Sequence, residues 1–255
     1  MSLDGIAIVK TAPFGRRIIH KQFYPLHEFF DKSSNAIYLL LSEVLAEHKS
    51  LNLQKLQVVL SSDFIRFMVL PAQINDLSIE DKIAFAGAIY NEIYGSLSDN
   101  WTIQLDDVPP HTPTLCAAID RMLLDQFKAI ASQNRFLLTS VEPYATQIIN
   151  KLNLKKYNGF LAIIEPSRLI LMGFKGNIQS VQYLKWQNDW ISPLQLLLNK
   201  TLLRSGLSDQ HLMIYAPVDS EIDAAKFVNW NLTLSKPLPS LLEFSWHYQI
   251  LRGCV

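Results

Sequence analysis

One short segment of the sequence combines residue types suited to acid–base or metal chemistry. Asp106, Asp107 and His111 bring two carboxyls and an imidazole together within six residues, around the pair Pro109-Pro110. Adjacent side chains of an extended chain point to opposite faces, so the two carboxyls are poorly placed to share a proton or a metal ion. A polar turn is the favoured interpretation of this segment, and a metal or acid–base site is the alternative.

A second segment, Ser61-Ser62-Asp63, places two hydroxyls next to a carboxyl directly after an apolar stretch. A nucleophilic serine of this kind normally lies on a glycine-containing elbow between a strand and a helix, and no such elbow surrounds these serines. A turn after a strand is therefore expected. The six histidines include no pair four residues apart and no His-Glu-x-x-His motif, so the sequence predicts no metal site.

Three further residues are candidates for contacts with another protein. Arg66 is the one charged residue within the apolar stretch Phe64–Leu70. It is either an outward cation on a half-buried core strand, which is favoured, or part of a sheet edge that receives a partner peptide and pairs with its carboxylate. Trp186 and Trp190 lie in an expected loop, where exposed tryptophans would mark a contact surface. Core packing is the safer interpretation of most of the five tryptophans.

The elements that must position these residues alternate between strands and helices. Short runs of apolar and β-branched residues bounded by Gly or Pro predict strands, and apolar residues at helical spacing predict helices. Before a predicted hinge at 155–159, the expected strands are 3–9, 16–20, 21–26, 56–61, 64–70, 101–105, 114–119 and 136–141, and the expected helices are 31–48, 79–94, 121–132 and 144–152. After it, the expected strands are 160–165, 168–174, 178–185, 211–216 and 231–234, with helices at 192–205, 221–228 and from about 239.

The helix over 79–94 carries the clearest local signals. Ser78 is a natural N-cap, Asp81 stands where a capping box places its acid, and Gly95 supplies the stop. Apolar residues recur at helical spacing from Ile79 to Ile93 and predict one buried face.

The order of elements is repeated along the chain. Each half reads strand, strand, strand, helix, strand, and the pattern starts again after about residue 159. The alternation of helices and strands places the chain in the α/β or mixed class.

Length and composition describe a globular protein. The 255 residues suffice for one large or two modest domains, with 49% apolar and 18% charged residues. The 23 basic and 23 acidic residues cancel, which gives no charge footprint for nucleic acid or anionic lipid. No apolar stretch approaches the ~20 residues of a membrane span, no secretory signal is visible, and two cysteines are too few for a disulfide framework. A soluble cytoplasmic protein is expected.

The duplicated pattern resembles the actin/Hsp70/sugar-kinase superfamily, in which two ribonuclease-H-like halves flank a nucleotide cleft. The stretch Gly159–Glu165, followed by Arg168–Phe174 and the turn at Lys175-Gly176-Asn177, is similar to the second-half hairpin of that superfamily. More narrowly, Val58–Pro71 and the later Tyr94-Gly95 with Trp101 look like the PilM/GspL branch, the actin-like cytoplasmic components of type IV pilus and type II secretion machines. The resemblance implies a mixed α/β fold with duplicated ribonuclease-H-like or actin-like halves, each βββαβ plus additions. It also implies a first half at 1–155, with an inserted subdomain at about 64–119, and a second half at 156–255.

The sequence departs from the superfamily at the hairpins that would bind phosphate. In the second half the corresponding stretch is Glu165-Pro166-Ser167-Arg168, which has no glycine and loses one N–H donor to the proline. In the first half, Lys10–Gly15 has no carboxylate, although Lys10 and Thr11 can touch a phosphate. No cofactor is therefore expected. The alternative is an ATP-binding actin-like ATPase or phosphotransferase that uses Lys10, Thr11 and Glu165 in a cleft between the halves.

These departures and the resemblance together imply a non-catalytic scaffold, not an enzyme. Its partner would be the short cytoplasmic tail of a bitopic inner-membrane assembly protein, with Arg66, Trp186 and Trp190 as the partner-binding residues. Neither nucleic-acid binding nor direct membrane insertion is expected, and the protein would be recruited to the cytoplasmic face of the inner membrane. A ribonuclease-H-like nuclease is a third option, but it needs clustered carboxylates holding two metal ions, and the predicted strands carry no such cluster.

Overall fold

The structure, a computed structural model, describes residues 1, 5–11, 18–26, 34–49, 54–154, 156–165, 167–187, 189–205, 211–216, 222 and 224–235. Strands and helices alternate along these residues. In chain order they are β1 Gly5–Thr11, β2 Ile18–Pro25, α1 Ser34–Glu47, β3 Gln54–Leu60, β4 Arg66–Leu70, α2 Ile79–Tyr94, β5 Trp101–Leu105, β6 Thr114–Asp120, α3 Arg121–Gln133, β7 Phe136–Pro143, α4 Tyr144–Leu152, β8 Asn158–Ile164, β9 Arg168–Lys175, β10 Asn177–Lys185, α5 Ile191–Ser205, β11 His211–Tyr215 and β12 Asn231–Ser235.

The first part of the chain is built on two pairs of strands. β1 and β2 form an antiparallel hairpin, and β3 runs parallel to β7. The sequence predicts two strands at 16–20 and 21–26, but the structure has the single strand β2 there. His20 and Lys21 are consecutive, and neither is a typical turn residue, so the strand continues through them. The described residues before α1 therefore hold two strands, not the three that were expected.

Between β3 and α3, the chain forms a separate antiparallel sheet with the order β4-β6-β5. α2 packs on one face of this sheet through the buried residues Ala86 and Tyr90. Phe67 and Leu115, from the sheet itself, belong to the core that includes α1, α3 and β3. The sheet is therefore held between its own helix and the main body of the first part.

The local signals of α2 are confirmed, while its predicted buried face is only partly formed. The Ser78 hydroxyl accepts a hydrogen bond from the Asp81 N–H at 3.1 Å, and the helix ends at Gly95, which has a φ of 62°. Ile79, Ile83 and Ile93 are 64%, 37% and 60% exposed. The short sheet covers the middle of the helix and leaves apolar side chains at both ends uncovered.

The second part of the chain is a five-stranded sheet with the order β10-β9-β8-β11-β12. β8, β9 and β10 are antiparallel neighbours, and β11 runs parallel to both β8 and β12. Phe160 and Ala162 face the core shared with α5, whereas Leu161 and Ile163 face the core shared with the first part. Because both faces of β8 are covered, its sequence is a continuous apolar run.

Most of the other predicted helices and strands begin and end close to the observed ones. α5 begins at Ile191, one residue before the predicted start, and the Asp189 carboxylate accepts the Ile191 N–H at 2.9 Å and so caps the helix. The segment expected as a helix at 221–228 has a short 3₁₀ turn at Ala224–Phe227. The helix expected from about 239 lies outside the described residues, and so does residue 155 in the predicted hinge. The division into halves at that residue stays a prediction.

Among the described residues, no helix is both long and apolar enough to cross a bilayer.

Candidate functional site

Two turns from distant parts of the sequence meet between the first and second parts of the chain. One is the turn Ser61–Asp63 that follows β3, and the other is the hairpin Glu165–Arg168 that joins β8 to β9. The hairpin is closed by the Glu165 N–H, which donates to the Arg168 carbonyl at 2.8 Å. Because β3 and β8 each end at this point, their polar turns face each other across the junction.

Glu165 is the centre of the junction. Its side chain is buried, with 1% of the residue exposed. The Ser62 N–H donates to its Oε2 at 2.9 Å, and the Ser62 hydroxyl donates to its Oε1. Burial raises the pKa of Glu165 to about 7, although the hydrogen bonds from Ser62 act in the opposite direction. Burial therefore favours the neutral, protonated form of this carboxyl.

Arg168 and Asp63 form the second link between the two turns. The Arg168 Nε lies 3.4 Å from the Asp63 Oδ1, and both side chains are almost fully buried. The Arg168 Nη1 also donates to the Ser62 carbonyl at 2.7 Å. The Ser167 hydroxyl donates to the Asp63 Oδ2 at 3.0 Å. The Arg168 guanidinium is thus paired with the Asp63 carboxylate.

Aromatic side chains enclose this polar cluster. The Trp186 indole N–H donates to the Glu165 carbonyl at 2.9 Å, and the Arg168 guanidinium lies 5.6 Å from the centre of the Tyr183 ring. The Tyr183 hydroxyl is 2.8 Å from that of Tyr94 at the end of α2, so the inserted sheet and its helix are joined to β10 as well.

The three predicted partner-binding residues are turned towards the protein. Arg66 is half-buried and its Nη1 donates to the carbonyls of Asp63 and Ile65, each at 3.0 Å. Trp186 is half-buried at the junction, and Trp190, 9% exposed, packs in the core with α5 instead of standing on an exposed loop. These placements favour the core interpretation of all three residues, and a partner contact through them stays a prediction.

Lys10 and Thr11, the predicted phosphate contacts of the first half, lie at the end of β1. Lys10 is opposite His20 on β2. Burial, and after it the charge of Lys10, lowers the pKa of His48. The loop 12–17 lies outside the described residues, and no contact among the described residues joins Lys10 to Glu165. The site formed by Lys10, Thr11 and Glu165 therefore stays a prediction.

The segment with two acids and a histidine forms an exposed turn. His111 has a φ of 60°, and its Nδ1 lies 3.8 Å from the Asp76 carboxylate, with both side chains mostly in solvent. Within the described part of the chain, no three His, Cys, Asp or Glu side chains are grouped so that they could hold a metal ion.

The second-half hairpin does not fit a nucleotide phosphate. A phosphate-binding turn offers free backbone N–H groups, and a metal-linked carboxylate must face the ligand. Here residue 166 is a proline without an N–H, and the Arg168 N–H is directed to the Glu165 carbonyl at 3.4 Å. The Glu165 carboxylate faces Ser62, and the Arg168 guanidinium is engaged by Asp63 and Ser62. The Glu165 carboxylate, the Arg168 guanidinium and the Arg168 N–H are thus already bound within the chain.

Sequence reasoning named Glu165 but missed its partners. Ser62 and Asp63 were interpreted as a turn, which the structure confirms, yet the turn is also half of the junction. The available signal was Arg168, a lone cation at the start of the apolar run 168–174, since a buried cation requires a buried acid. Nothing in the sequence, however, identifies which of the acids is that partner.

Comparison with solved structures shows an actin-like fold. The chain matches a Bacteroides thetaiotaomicron protein described as having an actin-like ATPase fold and unknown function, with a TM-score of 0.57 and 12% identity, over 90% of this chain and 83% of that chain. It matches the cytoplasmic domain of EpsL, an inner-membrane component of the type II secretion system of Vibrio cholerae, with a TM-score of 0.59 and 10% identity over 98% and 90%. It also matches a chain of the PilM-PilN type IV pilus biogenesis complex, with a TM-score of 0.62 and 11% identity over 99% and 95%. Scans against protein-family models and curated proteins give no match. The predicted fold class, mixed α/β with an actin-like architecture, is confirmed.

Proposed function

We propose that the chain is a non-catalytic scaffold of a type IV pilus or type II secretion-like machine, and that it works at the cytoplasmic face of the inner membrane. Its activity is the binding of the cytoplasmic tail of a bitopic inner-membrane protein, and it takes no nucleic acid as ligand. Two of the proteins that share its fold, the PilM-PilN complex and the EpsL cytoplasmic domain, belong to such machines.

The observation that carries the non-catalytic part of the proposal is the buried junction around Glu165. Binding a phosphate at the hairpin would separate Glu165 from Ser62 and Arg168 from Asp63. Breaking a buried ion pair leaves an uncompensated charge, which costs about 3–5 kcal/mol. The junction therefore holds the two parts of the chain together with protein side chains, at the place where the superfamily uses a nucleotide.

Thermal unfolding with and without millimolar Mg-ATP tests this part of the proposal. A ligand that binds only the folded state stabilises it by about 2.7 kcal/mol at a hundredfold excess over its Kd. We expect no shift in Tm beyond that caused by the same concentration of magnesium tripolyphosphate, which controls for general ionic effects. A clear shift specific to Mg-ATP would support the alternative ATP-binding function, and Glu165→Ala should then abolish it.

The partner is tested with peptides that carry the cytoplasmic tails of the bitopic inner-membrane proteins in the host's own pilus or secretion machinery. We expect saturable binding of one such tail in fluorescence anisotropy and none of its scrambled version. If no tail binds the folded chain, the scaffold proposal is wrong in its partner class. Alanine substitutions of Arg66, Trp186 and Trp190, each checked for folding, then test whether the predicted contacts take part.

A further inference from the structure

β5 is an edge strand of its sheet, and one of its sides has no strand beside it in the described part of the chain. In the sheet order β4-β6-β5, β6 pairs with β5 on one side, and no second strand pairs with β5 among the described residues. The other edge, β4, differs, because it packs beside β10 of the second part. An open edge presents a row of backbone N–H and C=O groups that an extended peptide can pair with.

The register of β5 identifies the outward backbone groups. The Asp106 N–H donates to the Leu115 carbonyl and the Arg121 N–H to the Asn100 carbonyl, so the even-numbered residues of this stretch bond to β6. In an antiparallel pair, the alternate residues direct both backbone groups to the opposite side. These residues are Trp101, Ile103 and Leu105. They present three N–H and three C=O groups along a strand of about 17 Å.

The surroundings of this edge are acidic. Asp99 precedes β5, while Asp106 and Asp107 follow it, and all three are exposed. None of them forms an ion pair with a described residue. The stretch 64–119 contains seven acids against Arg66 and Lys82, a net charge of −5 in a chain whose total is zero. Arg66 is directed to backbone carbonyls, which leaves Lys82 as the remaining cation of this stretch.

Apolar side chains adjoin the acids. Leu97 lies in the turn immediately before β5 and is 75% exposed. The side chains of Trp101, Ile103 and Leu105 lie on the face that packs with α2, and each is only partly buried. A strand added at this edge would extend that apolar face while its ends met carboxylates.

We infer that β5 is the docking edge for an extended basic segment of the partner, which adds to the sheet as a fourth strand with basic residues at both ends and alternating apolar residues between them. The inference rests on the proposed function and specifies the chemistry of the partner. Segments that lie close to the cytoplasmic side of a membrane are rich in Lys and Arg, which suits an acidic edge. A contact through Arg66, in contrast, would select an acidic segment.

The first experiment uses the full chain and a probe peptide, Lys-Lys-Val-Thr-Val-Thr-Val-Lys-Lys. We expect the peptide to slow amide hydrogen exchange at Trp101, Ile103 and Leu105. A peptide with Glu in place of Lys should have no effect, and neither should a Lys peptide N-methylated on the residues that face β5. Equal protection by the Glu peptide, or protection outside β5 only, would overturn the inference. So would amides of β5 that already exchange slowly in the free chain, since another part of the chain would then cover the edge.

The charge contribution is measured with the double variant Asp106→Asn, Asp107→Asn. Exposed ion pairs are worth about 0.2–1 kcal/mol each, so the Lys peptide should bind roughly two- to thirtyfold more weakly. The matched control, Glu43→Gln with Asp125→Asn, removes two exposed carboxyls that lie outside the acidic stretch 64–119 and should leave the affinity unchanged. Equal losses in the two double variants would show a general effect of charge and would overturn the docking edge.

Repeating the exchange measurement with the inner-membrane tail separates this inference from the proposed function. A tail that binds and protects β5 supports both. A tail that binds without changing exchange in β5 overturns the docking edge and leaves the scaffold function standing. If the Lys peptide protects β5 but no tail binds, the docking edge stands and the proposed partner class is wrong.

Discussion

Replacing Glu165 with glutamine is expected to change how the free energy of unfolding depends on pH. Glutamine has the same shape, keeps an oxygen that accepts the Ser62 N–H, and has no charge at any pH. Glu165 is buried, and burial raises its pKa from the ordinary value of 4.5 to about 7. The wild type and the variant therefore differ in one titrating group whose surroundings are known.

The direction of this pH dependence follows from whether the folded or the unfolded chain holds the Glu165 proton. Between pH 4.5 and about 7, the unfolded chain loses the Glu165 proton while the folded chain keeps it. The favourable contribution is fully present below the unfolded pKa and is lost as pH rises through the folded pKa. Each unit of pKa shift corresponds to 1.36 kcal/mol, so the loss over this window is about 3 kcal/mol. Above it both states are ionised and the contribution stays constant.

The measurement is urea unfolding, followed by tryptophan fluorescence, at intervals from pH 4.5 to 8. The free energy of unfolding of Glu165→Gln minus that of the wild type should rise by about 3 kcal/mol across this range. A control variant, Glu92→Gln, removes an exposed carboxyl of α2 and shows how the loss of a surface charge alone changes the curve. If the Glu165→Gln difference is the same at pH 5 and pH 8, the carboxyl is not held neutral by burial and the reasoning is refuted.

Four further substitutions, used in three experiments, test the structure. Arg168→Met should lower the free energy of unfolding by about 3–5 kcal/mol, because it leaves Asp63 buried without its cation; a loss below 1 kcal/mol in chemical unfolding would contradict a buried pair. Gly159→Ala should lower the free energy of unfolding by at least about 2 kcal/mol, since φ is +135° and the added Cβ would lie 2.5 Å from a backbone carbonyl of β11. An unchanged Tm would show that the backbone of β11 does not lie this close to Gly159. Tyr94→Phe and Tyr183→Phe should each destabilise the protein, and a double-mutant cycle should give a coupling of about 1 kcal/mol for their 2.8 Å contact. If the losses in free energy of unfolding simply add in the double variant, the two hydroxyls are not in contact.

Local patterns were sufficient for most elements. The capped helix α2, the hairpin at 175–177 and the three antiparallel strands β8, β9 and β10 follow from turn residues, capping residues and apolar alternation, which act over a few positions. The element order then supported an actin-like architecture, and the missing glycine of the hairpin at 165–168 indicated a poor phosphate site. These features depend on neighbours in the chain, so a single sequence reveals them.

Features that depend on distant neighbours were not accessible in the same way. Periodicity predicted Ile79, Ile83 and Ile93 on a buried face, but the sheet under α2 is too short to cover them. Trp190 looked like a loop residue and lies in the core, because burial is decided by what α5 and its sheet place over it.

The sequence by itself determined most of the element order, the cap and stop of α2, the turn at 175–177 and the absence of phosphate-binding glycines. Only the tertiary structure decided that Glu165 is paired with Ser62, 103 residues earlier, and Arg168 with Asp63. The physical reason is that a polar residue at the end of a strand looks the same in sequence whether it faces solvent, a ligand or another turn. Packing of the two sheets against one core brings these two turns together, and that burial fixes both the partner and the pKa of the carboxyl.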